Sequence, residues 1–460
     1  MQINSQIFKA YDIRGIYPTD INEENIAIVI KAIYVFFTEK ISNDRQLKVV
    51  LSYDMRLSGD SLFAVAKKTL VDLGAEVIDT GKLSTPSFYY TVSHYHYDCG
   101  IQITASHNPP QWNGLKFVIN SPKGLIKIGK STGMDMIKEM SQKTITYTPK
   151  YKGLLTPKNN ILPDEVKSSL QMLNNPTIKN FKIVADPANA MGATYIEALF
   201  NAVSATLIKM NFDLDGNFPA HQPDPLDFTN LESLQNRVIE EKADLGLAPD
   251  GDGDRLFFID EKGQVVSASM ITALVAREFL KNNPGETILF DIRYILTPSK
   301  IVEENKGKSL ITKVGHAFIT EALNASGGIF AGESSGHYFF RDTGNAESQL
   351  PIILTVLKVL SEEGKTLSEL VEEVRRSFES GETNFKVTNA NEILETIKNI
   401  YKDGELSEID GISISYNNWR FNMRTSNTEP LLRLNVEALD KNVLDEKVKI
   451  LKDQITNVAK

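Results

Sequence analysis

The run DGDGDR at 250–255 concentrates more potential chemistry than any other stretch of this 460-residue chain. Asp250, Asp252 and Asp254 stand at alternate positions, and Gly251 and Gly253 let the backbone turn sharply enough for three carboxylates to converge. Oxygen-only ligation suits a hard cation, Mg2+ or Ca2+, rather than zinc. Arg255 directly after the cage makes sense if the metal also holds an anion such as a phosphoryl group. An EF-hand calcium loop would put glycine where Arg255 stands and would need flanking helices. Residues 243–248 and 256–259 are instead short apolar runs of strand type. Taken alone, the run stays open between a metal site, a phosphatase with Asp250 as nucleophile, and a solvated acidic turn.

Four other loops combine polar groups with turn-forming residues. TASHNP at 104–109 follows an apolar run and ends on Asn-Pro, which would present Ser106 in an exposed turn. Ser106 and His107 do not make a hydrolase pair, because adjacent side chains usually diverge and Ser106 is not set in a Gly-x-Ser-x-Gly elbow. GESSGH at 332–337 places Glu333, Ser335 and His337 on one side of an extended backbone, with donors and acceptors suited to sugar hydroxyls. RTSNTEP at 424–430 joins a cation, Arg424, to Ser426, Asn427 and Thr428 in a turn able to aim donors at a phosphate. KAYDIRG at 9–15 offers Arg14 before a turn. Each loop by itself is also compatible with an ordinary polar connection.

The elements that must position these loops follow from length and pattern. A chain this long calls for three or four domains, and 42% hydrophobic residues with mixed charge describe a soluble globular protein. The net charge of −9 leaves no broad basic surface for a nucleic acid. A single cysteine, Cys99, excludes an internal disulfide. Residues 1–15 lack a signal-peptide layout, and the most apolar early stretch, 26–37, is too short to span a bilayer. A cytoplasmic address with no membrane or nucleic-acid partner is therefore expected. Strand-like runs at 47–51, 76–79, 99–104 and 115–119 alternate with helix-like ones at 61–73 and 130–142. After a polar, proline-containing stretch at 144–160, the pattern restarts with strands at 181–186, 205–210 and 243–248 and helices at 164–173, 192–202 and 231–241. A third block carries strands at 256–259, 288–291, 310–314 and 329–331 with helices at 270–281, 317–324 and 346–363. Beyond Gly364, helices at 367–376, 393–401 and 441–458 surround shorter strands at 412–416 and 431–436. The expected fold class is α/β, with mixed-sheet α/β domains at 1–148, 149–255 and 256–366 and a smaller α+β C-terminal domain at 367–460.

KAYDIRG, TASHNP, DGDGDR, GESSGH and RTSNTEP resemble, in order and spacing, the α-D-phosphohexomutases, most closely the bacterial phosphomannomutase/phosphoglucomutase type. DPANAMG at 186–192 and KVGHAFI at 313–319 are similar to segments of the same family, and the likeness covers essentially the whole chain. The resemblance implies three related α/β domains and a fourth, mobile one around a central cleft. It implies interconversion of hexose 6-phosphate and hexose 1-phosphate, of mannose and/or glucose, through a phosphoserine enzyme, with hexose 1,6-bisphosphate as intermediate and activator. Ser106 would carry the phosphoryl group and, with Asp250, Asp252 and Asp254, bind Mg2+. Three carboxylates and a phosphoserine of about −2 exceed the charge of one divalent ion, so Arg14, Arg255 and Lys116 would supply the balance. Lys116, in NGLKF at 113–117, would be the general acid–base, its pKa lowered by burial or neighbouring cations, with His107 helping to tune it. Tyr11, His316, Glu333, Ser335 and His337 would contact the sugar, and Arg424, Ser426, Asn427 and Thr428 would take the second phosphate. Hexose phosphates would be the partners of a monomer or homodimer.

Two positions depart from the family pattern: Arg293, where lysine is frequent, and Ser334, where relatives carry methionine, glutamine or proline. Asn427 leans toward mannose and glucose phosphates, since glucosamine enzymes more often show glycine there. A phosphoglucosamine mutase is the nearest alternative. An Asp250-nucleophile phosphatase and a sugar-phosphate-binding protein without catalysis follow; intact Ser106, Lys116 and three aspartates speak against the last.

Overall fold

Central strands buried on both faces set the first sheet between two helical layers. A computed structural model describes residues 3–41, 44–425 and 431–458. Strands β1 (Ile13–Ile16), β2 (Lys48–Tyr53), β3 (Glu76–Lys82), β4 (Cys99–Ile103), β5 (Trp112–Ser121), β6 (Gly124–Lys127) and β7 (Leu154–Pro157) form one sheet, ordered β1-β5-β4-β2-β3-β7, with β6 on β5. Val49 and Leu51 face the helices Glu23–Ile41 and Gly59–Asp72, whereas Val50 and Ile78 face the helix Thr85–His94. The first of these helices buries Ile26, Val29, Ile30, Ile33, Phe36 and Phe37, a 3.6-residue stripe. β2 is parallel to β4, with Tyr53 opposite Ile103, and β5 is antiparallel to β4, with Lys116 opposite Gln102. The turns after β2 and β4 and the start of β5 therefore share one sheet end, the carboxyl end at which open α/β sheets bind ligands.

Two features differ from the sequence expectation. The helix Thr85–His94 lies where aromatic and β-branched residues give no helical signal; Ser84 caps it by accepting from the Ser87 amide, and Pro86 sits in its first turn. The polar stretch 144–160, expected as a connection between domains, contains β7, which pairs in parallel with β3 from Glu76↔Leu154 to Asp79↔Pro157. All four β7 residues are exposed, so no apolar alternation marks the strand.

A second sheet holds β8 (Phe181–Ala185), β9 (Ala205–Lys209), β10 (Leu245–Pro249), β11 (Leu256–Asp260) and β12 (Val265–Val266), ordered β12-β11-β10-β8-β9. β8 is parallel to β9 and β10, and β10 is antiparallel to β11, with Pro249 opposite Leu256. Residues 256–259, expected to open the third block, thus close the second sheet. DGDGDR is the connection of a buried hairpin. Both arms are buried throughout, so periodicity could not assign them to a sheet.

By chain contacts, Met1–Val266 with Ser335–Ser368 forms one compact unit, and Ser267–Ser334 with Glu369–Lys460 another. The first unit also holds the hairpin Tyr338–Phe340/Ala346–Glu347 and the helix Gln349–Glu363. In the second unit, β13 (Thr287–Asp291) runs parallel to β14 (Lys308–Thr312) and β15 (Phe330–Gly332). Its C-terminal part is an antiparallel sheet, with strands Ile412–Ser415, Trp419–Thr425 and Leu431–Ala438 adjacent. Helices Ala390–Ile400 and Lys441–Val458 pack on that sheet. The α/β class and the α+β C-terminal region match expectation. No helix among the described residues is long and apolar enough to cross a membrane.

Candidate active site

Ser106 lies in the turn after β4 with φ of 50°, and it is 2% exposed rather than presented to solvent as expected. Its amide donates to Thr104 Oγ1 at 3.0 Å, and its hydroxyl donates to Asp250 Oδ2 at 3.0 Å. The left-handed backbone also brings Ser106 Oγ within 3.3 Å of His107 Nδ1, closer than adjacent side chains usually come. No carboxylate hydrogen-bonds the His107 ring among the described residues, so this is not a hydrolase triad. Burial, then the charges of Arg255 and Arg14, push the His107 pKa well down and keep the ring neutral.

The three aspartates are buried, and their carboxylate oxygens lie within 4.8 Å of one another. The two glycines between them have different work. Gly253, at φ 79°, makes the turn; at Gly251 a Cβ would stand 2.3 Å from the Ser106 carbonyl oxygen, so only glycine lets the two loops meet. Lys116 Nζ reaches from β5 to Asp252 Oδ2 at 2.6 Å and Asp254 Oδ2 at 2.5 Å. Thr85, the first residue of its helix, donates its hydroxyl to Asp252 Oδ2 at 2.6 Å. Asp252 Oδ1 is buried and has no hydrogen-bond partner among the described residues. An oxygen-only donor set with one carboxylate oxygen unengaged fits a small hard cation.

Burial, with Asp254 and Asp252 nearby, pushes the Asp250 carboxyl up to about 7. Burial would raise Asp254 too, but Lys116 and His337 outweigh it and hold that carboxyl well below the usual range. His337 Nε2 lies 3.2 Å from Asp254 Oδ1, and its Nδ1 lies 3.1 Å from Ser335 Oγ. Burial pulls the Lys116 ammonium down, yet Asp252 and Asp254 more than offset that and raise its pKa. The expected depression is therefore reversed: two carboxylates touch the lysine, and they outweigh the nearby cation Arg14.

Arg14, on β1, donates to Asp12 Oδ2 at 2.7 Å and Asn108 Oδ1 at 2.6 Å. Arg255 has Nε and Nη1 buried without a hydrogen-bond partner among the described residues, and Asp224 stands 3.8 Å away. A guanidinium left so poorly satisfied beside an acidic cluster suits an incoming anion. Tyr11 is partly buried in the turn before β1. The segment 221–224, unassigned by sequence, ties the two loops together: the Gln222 amide donates to the His107 carbonyl, and Pro223 accepts from the Gly251 amide at 3.1 Å. His221 in turn bridges Asp186, of DPANAMG, and the Gln222 carbonyl. Thr85 was also missed; its only sequence signal is the Ser-Thr-Pro helix start at 84–86.

In the second unit, Arg293 donates through Nε to Asp291 Oδ1 at 2.8 Å, and its Nη2 lies 3.4 Å from Glu333 Oε1. Glu333 Oε1 also accepts from the Gly315 amide at 2.9 Å, next to His316 at the start of the helix His316–Ser326. Ser334 gives its amide to Asp291 Oδ2 at 2.6 Å. Arg424 ends a buried strand with Nη2 2.9 Å from Glu382; burial, then Arg293, lower its pKa. Ser426, Asn427 and Thr428 lie outside the described residues. GESSGH is a turn at Gly336, φ 88°, not the extended run expected. Glu333 goes with Arg293, while Ser335 and His337 go with Asp254. Ser106, His107, Lys116, Arg14, Arg255, the three aspartates, Ser335 and His337 thus gather in the first unit, and Glu333, Arg293 and Arg424, with His316 beside them, in the second.

Family models describing phosphoglucomutase/phosphomannomutase match four successive stretches: alpha/beta/alpha domain I at 5–150, domain II at 164–263, domain III at 267–378 and the C-terminal domain at 382–454. A phosphomannomutase of Methanocaldococcus jannaschii is 37% identical over 457 residues, 98% of each chain. A phosphomannomutase of Vibrio cholerae serotype O1 is 36% identical over 462 residues, 98% of this chain and 97% of its own. The crystal structure of a phosphoglucomutase/phosphomannomutase family protein from Burkholderia thailandensis matches with a TM-score of 0.88 at 27% identity, covering 99% of this chain and 98% of that one. The chain belongs to the phosphoglucomutase/phosphomannomutase family.

Proposed function

We propose that this chain is a phosphohexomutase, an intramolecular phosphotransferase that interconverts the 6-phosphate and 1-phosphate of mannose or glucose. The observation that carries this is the Ser106 hydroxyl 3.0 Å from Asp250, within a buried carboxylate cluster that Lys116 closes. Two transfers make up the cycle. Phosphorylated Ser106 gives its phosphoryl group to the free terminal hydroxyl of a hexose phosphate: the P–O bond to Ser106 breaks as a P–O bond to the sugar forms. The hexose 1,6-bisphosphate so produced turns over, and its other phosphoryl group returns to Ser106.

Asp250, Asp252 and Asp254 would hold Mg2+ together with the serine phosphate; when bound, that ion supplies charge stabilisation to the group in transfer. Arg14 and Arg255 add positive charge for the phosphoryl oxygens. Lys116 would serve as the general acid–base: its ammonium protonates the departing Ser106 oxygen, and the amine left behind takes the proton of the sugar hydroxyl. The neutral ring of His107 lies against the same oxygen without adding charge. Glu333, His316, Ser335 and His337 are assigned to sugar hydroxyls, and Arg424 with residues 426–428 to the phosphate not being transferred.

A coupled assay with mannose and glucose 1-phosphates tests this, run with and without glucose 1,6-bisphosphate. Turnover should require the bisphosphate or a phosphorylated enzyme, and Ser106→Ala should abolish it. The enzyme-bound phosphate should resist hydroxylamine, as a serine ester does. A hydroxylamine-labile phosphate on Asp250 would instead establish the phosphatase chemistry, and preference for glucosamine phosphate would overturn the mannose/glucose assignment.

A further inference from the structure

We infer that Arg56 is a positioning residue that holds Ser106 in the conformation from which it reacts; the inference rests on Ser106 being the phosphoryl carrier. Arg56 lies in the turn after β2, beside the end of β4 because Tyr53 and Ile103 are register partners. Its side chain is completely buried. The guanidinium donates four hydrogen bonds to main-chain carbonyls of the Ser106 loop: Nη2 to Ser106 at 2.6 Å and Asn108 at 2.7 Å, Nη1 to Pro109 at 2.8 Å and Trp112 at 2.9 Å. Asp54 Oδ2 stands 3.3 Å from Nε, Asp54 Oδ1 accepts the Arg56 amide at 3.0 Å, and the Phe218 ring lies 5.4 Å from the guanidinium carbon.

Burying a guanidinium is costly, and its planar fork is the one side chain that can take four carbonyls at once. The hold has a specific object. Ser106 sits at φ 50°, a backbone conformation that costs an L-residue about 1 kcal/mol and persists only where its surroundings impose it. Arg56 grips the Ser106 carbonyl while Asp250 takes the hydroxyl, so the residue is fixed at both ends. The same fork holds the Asn108 carbonyl, and the Asn108 side chain accepts from Arg14. One buried cation thus sets both the nucleophile and the anchor of a phosphate-facing arginine.

Arg56→Lys keeps the charge but cannot span four carbonyls. With glucose 1-phosphate as substrate, kcat should fall about 100-fold while KM changes less than about threefold, because a small displacement of the reacting oxygen costs transition-state binding only. Mg2+ affinity by calorimetry should stay at the parental value, since the aspartates are untouched. Ser106→Ala is assayed in parallel: if it retains turnover, the serine assignment fails whatever Arg56 does. If Ser106→Ala is inactive and Arg56→Lys turns over like the parent, or loses activity only in step with its melting temperature, the positioning role is overturned. Should Arg56→Lys fail to fold, Asp54→Asn carries the test by removing the negative charge that faces Nε at 3.3 Å. A loss in kcat of about tenfold at unchanged KM supports the role, and parental kcat refutes it.

Discussion

Lys116→Met would probe the acidic cluster from inside. Methionine keeps the length of the side chain and removes the ammonium that touches Asp252 and Asp254 at 2.6 and 2.5 Å, all three groups being almost fully buried. A charge pair at about 4 Å is worth roughly 4 kcal/mol at an effective dielectric constant near 20. Breaking a buried pair by deleting one partner typically costs about 3–5 kcal/mol, because the remaining charge is stranded. The metal-free variant at about pH 8 should therefore melt on the order of 10 °C below the parent. The pH trend gives a sharper test. In the parent, Lys116 and His337 depress Asp254, so its contribution is present above the ordinary carboxyl pKa and is lost only as pH falls through the depressed value. Without Lys116, burial is opposed only by His337 and Arg255, and the folded-state pKa of Asp254 rises. The variant should then be closest to the parent in mild acid and lose stability as pH climbs toward neutrality.

Magnesium supplies the second arm. Ammonium and divalent cation compete for the same oxygens, so Lys116→Met should bind Mg2+ more tightly by calorimetry, and saturating Mg2+ should close the gap in melting temperature. Turnover should still fall by about 10²–10⁴-fold, because proton transfer at the serine oxygen is lost. Melting in chelator identical to the parent, with no pH trend and unchanged Mg2+ affinity, would mean that the lysine does not rest on these carboxylates in solution.

Three further substitutions test contacts in the first unit. Thr85→Val removes the hydroxyl on Asp252 Oδ2 and should weaken Mg2+ about 10–100-fold by calorimetry; unchanged affinity would remove Thr85 from the metal's support. Gly251→Ala would drive a methyl group to 2.3 Å from the Ser106 carbonyl and force the two loops apart, so kcat should fall about 100-fold; parental turnover would show that the loops need not touch. Glu165 is buried with a hydroxyl donor, Ser87, at 2.6 Å, and burial pushes its carboxyl from 4.5 up to about 7. Folding therefore loses stability as pH rises from about 4.5 to 7, and Glu165→Gln should stabilise the protein by up to about 3 kcal/mol near pH 8 but little near pH 4, by thermal melts at both.

How much of this was legible in sequence depends on whether the determining contacts are local. The aspartate turn and the serine turn could be read because spacing and glycine placement act within a few residues. The assignment of 256–259 to the wrong block came from a strand apolar at every position, in which no period distinguishes sheets. The helix Thr85–His94 was hidden by aromatic residues whose weak propensity is overridden by packing against Val50, Ile78 and Val118. Arg56 and Thr85 were invisible for another reason. Each reaches the site because of strand order, β4 beside β2 and β2 beside β3, which no local pattern encodes.

The surroundings of Lys116 were hidden in the same way: the resemblance implied a pKa lowered by burial or neighbouring cations, and no local pattern showed that two carboxylates would touch the lysine. This non-local logic also bears on the two departures from the family pattern. Arg293 forks onto Asp291 through Nε and Nη2 and lies near Glu333 through Nη2, a geometry that the point charge of lysine could not reproduce, so this replacement alters how Glu333 is held. Ser334, by contrast, anchors Asp291 through its main-chain amide, which almost any residue could offer. Substrate preference in this chain should therefore respond more to Arg293→Lys than to a change of side chain at Ser334, and a comparison of kcat/KM for mannose and glucose 1-phosphates across the two variants decides it. A larger shift in that ratio from Ser334→Met would show that the serine hydroxyl, rather than the arginine fork, does the selecting.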